Sequence, residues 1–331
     1  MNKREKIRND IIDKIIKNTP ENATATKYIM EILGISRVSA YRRMKGLIPF
    51  TYEEIILLAR EMDFSLDEEI ELDSRRKYII EFGNYFYDEV SDIIFKALHR
   101  YYTHLSINQK MKKVINFETT NNLWFVYTLF SDNLFKFFYY KYFQQYHIPS
   151  LKLKMKDIKI PDSILDIKKE IVDVIVNTHN RTTICIVDRN IFFNTINEIQ
   201  YYYRRGLLDN QELKSIANDI KHLLTDLEKG AIEDVYDGRQ YQYYLGMRNI
   251  YSNTSYIQND KQSYSFFYQD NLHPMICYDQ QMCELHHNYL QAHKRQSALI
   301  SGSNEELQID FFEKQYGYIE NLVEDKDLIV C

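Results

Sequence analysis

The sequence predicts a mainly α-helical protein. An N-terminal helix-turn-helix domain precedes a larger helical region with a small antiparallel β-sheet (α+β) near the C-terminus. Three observations predict this. The 331 residues include only 9 Gly and 5 Pro, about a third of ordinary usage, which favours long helices and few tight turns. Residues 24–46, TATKYIMEILGISRVSAYRRMKG, read as two short helices joined at Gly34-Ile35-Ser36. Residues 240–278 break into short aromatic and β-branched runs separated by Asn, Asp and Ser, the pattern of an antiparallel meander. The chain divides on this reading into a domain at 1–74, an aromatic-rich helical region at 75–150 and an α+β domain at 151–331.

The N-terminal elements follow from their capping residues. A helix is expected over Lys3–Lys17. Gly34 ends the next one, because glycine takes the left-handed C-cap conformation at little cost. Ser36 starts the third as its N-cap. Ile29, Ile32, Leu33, Ile35, Ala40 and Met44 close the angle between these helices, and the small Ala40 lets them approach. Arg37, Val38, Ser39, Tyr41, Arg42 and Lys45 then occupy the open side of the third helix, and Lys27 is placed before the second. Thr51-x-x-Glu54 and Ser65-x-x-Glu68 each have the spacing of a capping box. Ile55, Leu58, Ala59 and Met62 supply the core face of a fourth helix, and Phe64 and Leu66 dock after it.

The stretch Met30–Ser36 followed by Arg37–Gly46 resembles the Cro/C1-type helix-turn-helix regulators, whose pattern runs apolar–x–x–x–Gly–apolar–Ser and then a recognition helix closing on glycine. The resemblance covers about the first 70 residues. Met30 stands where a small alanine is usual, and Met44 where many members carry glutamate. The resemblance implies a homodimer that binds double-stranded DNA at a palindromic or direct-repeat operator. Ser36, Arg37, Val38, Ser39, Tyr41, Arg42 and Lys45 form the reading surface, with Lys27 added on the phosphates. A helix of that composition suits the major groove.

Charge follows the same division. Residues 1–50 hold eleven Lys/Arg against five Asp/Glu, whereas residues 51–73 hold Arg60 against nine acids, and the whole chain carries −5. A locally basic face on an acidic protein fits a specific reader of DNA and excludes a general polyanion binder. The acidic run Asp67–Glu71 reads as a solvated helix face.

Beyond residue 75 the periodicity predicts helices over Tyr78–Tyr102, Ile107–Ile115 and Thr119–Tyr146, and a linker or edge strand over 147–162. Ile164, Ile167, Ile171, Val174 and Ile175 mark a helix over 163–178. TTICIVD at 182–188 is a strand. Residues 190–204 and 210–228 form a helical hairpin broken at Gly206, with Asp209 capping the second arm. Helices are expected over Asp279–Leu299 and from Ser303 to Leu322. The aromatic stretch 123–143 is interrupted by Asp132, Asn133, Lys136 and Lys141, so it predicts a buried helix and not a membrane span. This helix and the one at 303–322 are candidate dimer interfaces by apolar content. Cysteines 185, 277, 283 and 331 form no CxxC pair, and the N-terminus lacks an apolar signal segment. Both point to a reducing cytoplasm.

Catalytic motifs do not appear. There is no P-loop, GxGxxG, GxSxG or HExxH, so neither an enzyme nor a cofactor is expected. Cys277, Cys283, His286, His287 and His293 are the best metal-like cluster, but without a second ligand pair at structural-zinc spacing they read as a polar helix surface and no metal is assigned. Cys185 reads as a small buried hydrophobe, and Arg204-Arg205 as cations at a helix C-terminus. The expectation is a cytoplasmic transcriptional regulator whose C-terminal region dimerises or senses a small-molecule effector. A pocket is expected within 160–300, walled by the strands at 241–278 with Arg248, Asn249 and His273; a solid aromatic core is the competing expectation. A protein-interaction scaffold, or an enzyme with an accessory DNA-binding module, are the alternative functions.

Overall fold

Gly34 and Gly46 set the path of the N-terminal helices in the computed structural model. Both adopt the left-handed conformation, with φ of 63° and 67°. The structure describes residues 3–20, 23–62, 64, 78, 80–81, 89–146, 153–233, 235–236, 239–268, 272–302 and 304–324. The chain forms two compact units, Met1–Tyr78 and Ile79–Cys331.

The first unit contains α1 (Lys3–Lys17), α2 (Ala25–Leu33), α3 (Arg37–Met44) and α4 (Tyr52–Glu61). Its core is Ile15, Ile29, Ala40, Leu58 and Met62, with Phe64 packed against it. Ser36 caps α3 by accepting from the Ser39 N–H, and Thr51 and Glu54 form the expected capping box on α4. The second capping box at Ser65–Glu68, together with Leu66 and the acidic run 67–71, lies outside the described residues.

The second unit runs β1 (Ile80–Glu81), α5 (Val90–Gln109), β2 (Val114–Thr120), α6 (Phe125–Thr128), α7 (Asn133–Tyr146), a 3-10 turn (Met155–Asp157), α8 (Asp162–Val176), β3 (Arg181–Val187), α9 (Ile191–Arg204), α10 (Asn210–Glu233), β4 (Val235–Tyr236), β5 (Arg239–Gly246), β6 (Thr254–Asn259), β7 (Ser263–Tyr268), β8 (Pro274–Cys277), α11 (Gln280–Arg295), β9 (Ser297–Leu299) and α12 (Glu305–Val323). Helices dominate, as the composition predicts. The sheet is larger than expected and is mixed: among the described residues it has nine strands in the order β1-β8-β7-β6-β2-β3-β5-β4, with β9 also on β5. β2, β3 and β5 are parallel at its centre, and β6, β7 and β8 form the expected antiparallel meander.

Four expectations are corrected. Val114–Thr120 is a strand, not the ends of two helices. It is buried along most of its length, and a fully buried strand shows no alternation to separate it from helix. Because β2 lies between β3 and β6, the segments 75–150 and 151–331 are one unit sharing one sheet. Ser297–Leu299 leaves the predicted helix to pair with β5. The predicted helix at 78–102 is likewise shifted, to Val90–Gln109, with Ile80–Glu81 paired to β8.

One sheet face carries Cys185, Val187, Tyr243 and Leu245 beneath α5, α7–α10 and α12, in the main core. The opposite face carries Phe117, Ile186 and Tyr256 beneath Cys283 and Leu290 of α11. The aromatic helix α7 is enclosed in the main core: Phe135, Phe137, Phe138, Tyr139, Tyr140 and Tyr142 are all buried. Its apolar content therefore serves this unit, which removes it as a candidate dimer interface. Two of the charges that interrupt it in sequence are paired, Lys141 with Glu198 at 2.9 Å and Asp132 with Lys168 at 2.6 Å. Among the described residues no helix is long and apolar enough to cross a membrane.

Candidate nucleic-acid interface and a second-unit cavity

The geometry of α3 follows from which of its arginines turns inward. Arg43 donates from Nη2 and Nε to the two carboxylate oxygens of Glu54, at 2.8 and 2.9 Å. This two-pronged bond fixes α3 against the start of α4 with the directional specificity of a guanidinium–carboxylate fork. Glu54 also accepts from the Thr51 N–H at 2.9 Å. Burial alone would raise the Glu54 carboxyl, but the Arg43 and Thr51 hydrogen bonds and the Arg43 charge together hold it below its usual value. From the other side, Arg8 of α1 donates to the Gly46 carbonyl at 2.7 Å and ties down the end of the same helix.

With Ala40 buried and Arg43 turned in, Arg37, Val38, Tyr41, Arg42 and Lys45 are exposed along α3. Val38 is 68% exposed, an apolar group held in water on a face that also carries Tyr41 and three cations. The Lys45 ammonium lies 5.9 Å from the centre of the Tyr41 ring. Ser36 is exposed while its oxygen caps the helix. Ser39 is half-buried and its hydroxyl accepts from Arg43 Nη1, so it is less open than the sequence suggests. Lys27 is exposed but sits in the first turn of α2, not before it, and its ammonium lies 3.9 Å from Glu31. The inward role of Arg43 is not evident from the sequence. Its only signal is position, one turn after Ser39 and eleven residues before the capping-box glutamate.

Short helices packed around a Gly–x–Ser turn, with a solvent-facing basic α3, define a helix-turn-helix domain. Residues 4–76 match the family model of the BetR domain, a helix-turn-helix-like regulatory domain, which suggests a DNA-binding regulatory role for this part of the chain. No curated protein matches the chain, and no solved structure matches it.

In the second unit, a partly open cavity of about 280 Å³ lies between the central strands and the helices above them. Asn116 and Glu118 of β2, Arg181 and Thr183 of β3, and Arg239, Tyr241 and Tyr243 of β5 line its floor. The expected polar members are elsewhere. Arg248 and Asn249 follow the end of β5 and are exposed, and His273 is buried against Tyr142. Strand β5 ends at Gly246, so residues 248 and 249 fall past the sheet. Glu118 is buried, accepts from Asn116 Nδ2 at 2.8 Å and hydrogen-bonds with Cys185 and Tyr127. Burial pushes its carboxyl up, partly offset by those bonds and by the Arg181 charge. The Cys185 thiol is pushed well above its usual value by burial and by Glu118, so Cys185 is a member of a polar cluster as well as a buried packing group. A carboxylate inside the run VINFETT was the sequence signal for this cavity.

The histidine–cysteine cluster separates in space by role. His286 is buried and bonds Ser265 at 2.9 Å and Thr254 at 3.1 Å, while the Cys283 thiol donates to the Cys277 carbonyl. Among the described residues no three His, Cys, Asp or Glu side chains are placed to hold a metal ion. Arg204 closes α9, and the Arg205 guanidinium stands 5.1 Å over the Tyr201 ring.

Proposed function

We propose that this protein is a sequence-specific DNA-binding transcriptional regulator of Cro/C1-like type. On this reading it acts as a homodimer in the cytoplasm, performs no chemical step, and responds through its larger unit to a small-molecule effector. The observation that carries the DNA-binding reading is the solvent face of α3. An α-helix with its side chains is about 10–12 Å across, which matches the major-groove width of about 12 Å. Arg37, at the first turn, has the fork to bond guanine O6 and N7. Val38 offers an apolar contact for a thymine methyl, and Tyr41 follows one turn later on the same face. Arg42, Lys45 and Lys27 supply phosphate contacts. Ser36 and Ser39 accept within the domain and keep their hydroxyl protons to donate to phosphate oxygens. One such module covers a half-site and buries a modest surface, so pairing two copies supplies the affinity that one lacks.

Selection of duplexes by the full chain, followed by titration of Arg37→Ala, tests this reading. The variant is expected to lose about 1–3 kcal/mol on the selected site and to relax preference at one base pair. Equal losses on selected and random duplex would move Arg37 to the phosphate backbone. Absence of salt-dependent duplex binding by the intact chain would refute the regulator.

A further inference from the structure

The cavity under the central strands has donors without acceptors. Trp124 lines it and is only 7% exposed, yet its indole N–H is buried with no acceptor among the described residues. Arg181 lines it as well, and its Nε–H is buried in the same condition. A buried donor left unsatisfied is destabilising, so two at one cavity require an explanation.

The two arginines add a second observation. Thr182 pairs with Gln240 across the parallel strands β3 and β5, which puts Arg181 and Arg239 side by side at the entry to that register. Like charges on adjacent strands repel, and both side chains line this cavity. Two cations stand there against Glu118 and Asp226. Burial pushes the Glu118 carboxyl up, partly offset by its hydrogen bonds and by the Arg181 charge. A carboxylate brings two acceptor oxygens to the buried Arg181 Nε–H and the guanidinium fork it belongs to. Aromatic rings line the cavity beside polar groups such as Asn108 and Ser255, with Tyr241 of β5 and Tyr268 of β7 among them, and the Tyr268 ring centre lies 4.7 Å from that of Trp124. A dry cavity of about 150 Å³ takes one benzene; at about 280 Å³ this one has room for a substituted ring.

We propose that the cavity binds a small aromatic carboxylate, with its carboxylate on Arg181 and Arg239, its ring between the tyrosine and tryptophan walls, and an acceptor atom within reach of the Trp124 N–H. The assignment rests on the reading of the larger unit as an effector-responsive one and supplies the chemical class of the effector.

Trp124 is the single tryptophan of the chain and lies at the cavity, so its emission in the full-length protein reports occupancy directly. The probes are phenylacetate and 4-hydroxyphenylacetate, with 4-hydroxyphenylacetamide as the uncharged match and phenyl phosphate as the dianion. Both acids are expected to change the emission saturably and to bind at least about tenfold tighter than the amide, the margin of a charge-assisted fork. Arg181→Gln should erase that margin and leave amide binding unchanged; the comparison of acid with amide in the unaltered chain decides the matter even if the variant does not fold. Equal affinity for acid and amide overturns the proposal, as does tighter binding of phenyl phosphate, or no response to any probe. Duplex affinity measured with and without the acids separates the two readings. Saturable, charge-selective binding that leaves duplex affinity unchanged upholds the ligand class and refutes effector control.

Discussion

Glu54→Ala should loosen the N-terminal unit by an amount that the geometry of Glu54 sets. The carboxylate accepts two guanidinium N–H groups from Arg43 at 2.8 and 2.9 Å and the Thr51 N–H at 2.9 Å. The partners are well screened from water, with side-chain exposures of 13% for Arg43 and 16% for Glu54. Hydrogen bonds to charged groups contribute about 1.5–3 kcal/mol net, and loss of a helix cap costs about 0.5–2 kcal/mol. Arg43 keeps its bonds to Ser39, which places the expected cost near the middle, at about 2–3 kcal/mol. Each 1.4 kcal/mol is tenfold, so amide hydrogen exchange across α2–α4 should accelerate about 30- to 150-fold. Measured by exchange on the full chain, this isolates the first unit from the unfolding of the second. Arg43→Met in a double-mutant cycle should show coupling of about 1 kcal/mol or more with Glu54→Ala. The sign with pH is fixed as well. The folded carboxyl titrates below its unfolded value, so the pair contributes fully above about pH 4.5 and its contribution is lost as pH falls through the lower folded value. Acceleration of less than about threefold would refute the claim that this pair fixes α3.

Three further outcomes follow from the same structure. Lys45→Ala should flatten the slope of log affinity against log salt by about 0.9 per bound protomer and leave site preference intact; an unchanged slope would turn Lys45 away from DNA. Gly34 has φ of 63° and nothing within 4 Å of a built Cβ, so Gly34→Val should cost about 1–2 kcal/mol through backbone strain and Gly34→Asn clearly less, read by the same exchange experiment; equal costs would point to packing instead. Burial, with a smaller contribution from His287, depresses His286 to about 4. A base with a depressed folded value stabilises fully above its unfolded value and loses that contribution as pH falls, so thermal scans should show the second unit weakening from about pH 6.5 toward 4, and His286→Gln should flatten that dependence; an identical pH profile in the variant would show that the titration lies elsewhere.

The sequence by itself determined the first unit closely, because its information is local. A glycine that must be left-handed, a serine three residues before the N–H it accepts, and a Thr-x-x-Glu box each act within one turn of helix. Together they place α1 to α4 and leave the α3 face as the remaining solvent side. The sequence also determined that the second unit is largely helical with an antiparallel meander toward its end. Only the tertiary structure decided the rest. Val114–Thr120 becomes the middle of the sheet through partners at 181–187 and 254–259, and no local pattern reveals a parallel pairing across more than 60 residues. The aromatic helix α7 has the same composition whether it faces a second subunit or its own core, and burial by α5, α10 and the sheet settles that it faces its own core. The cavity depends on the same long-range registers. Glu118, Arg181 and Arg239 lie on three strands far apart in sequence, and parallel pairing alone brings a carboxyl and two guanidiniums around one cavity.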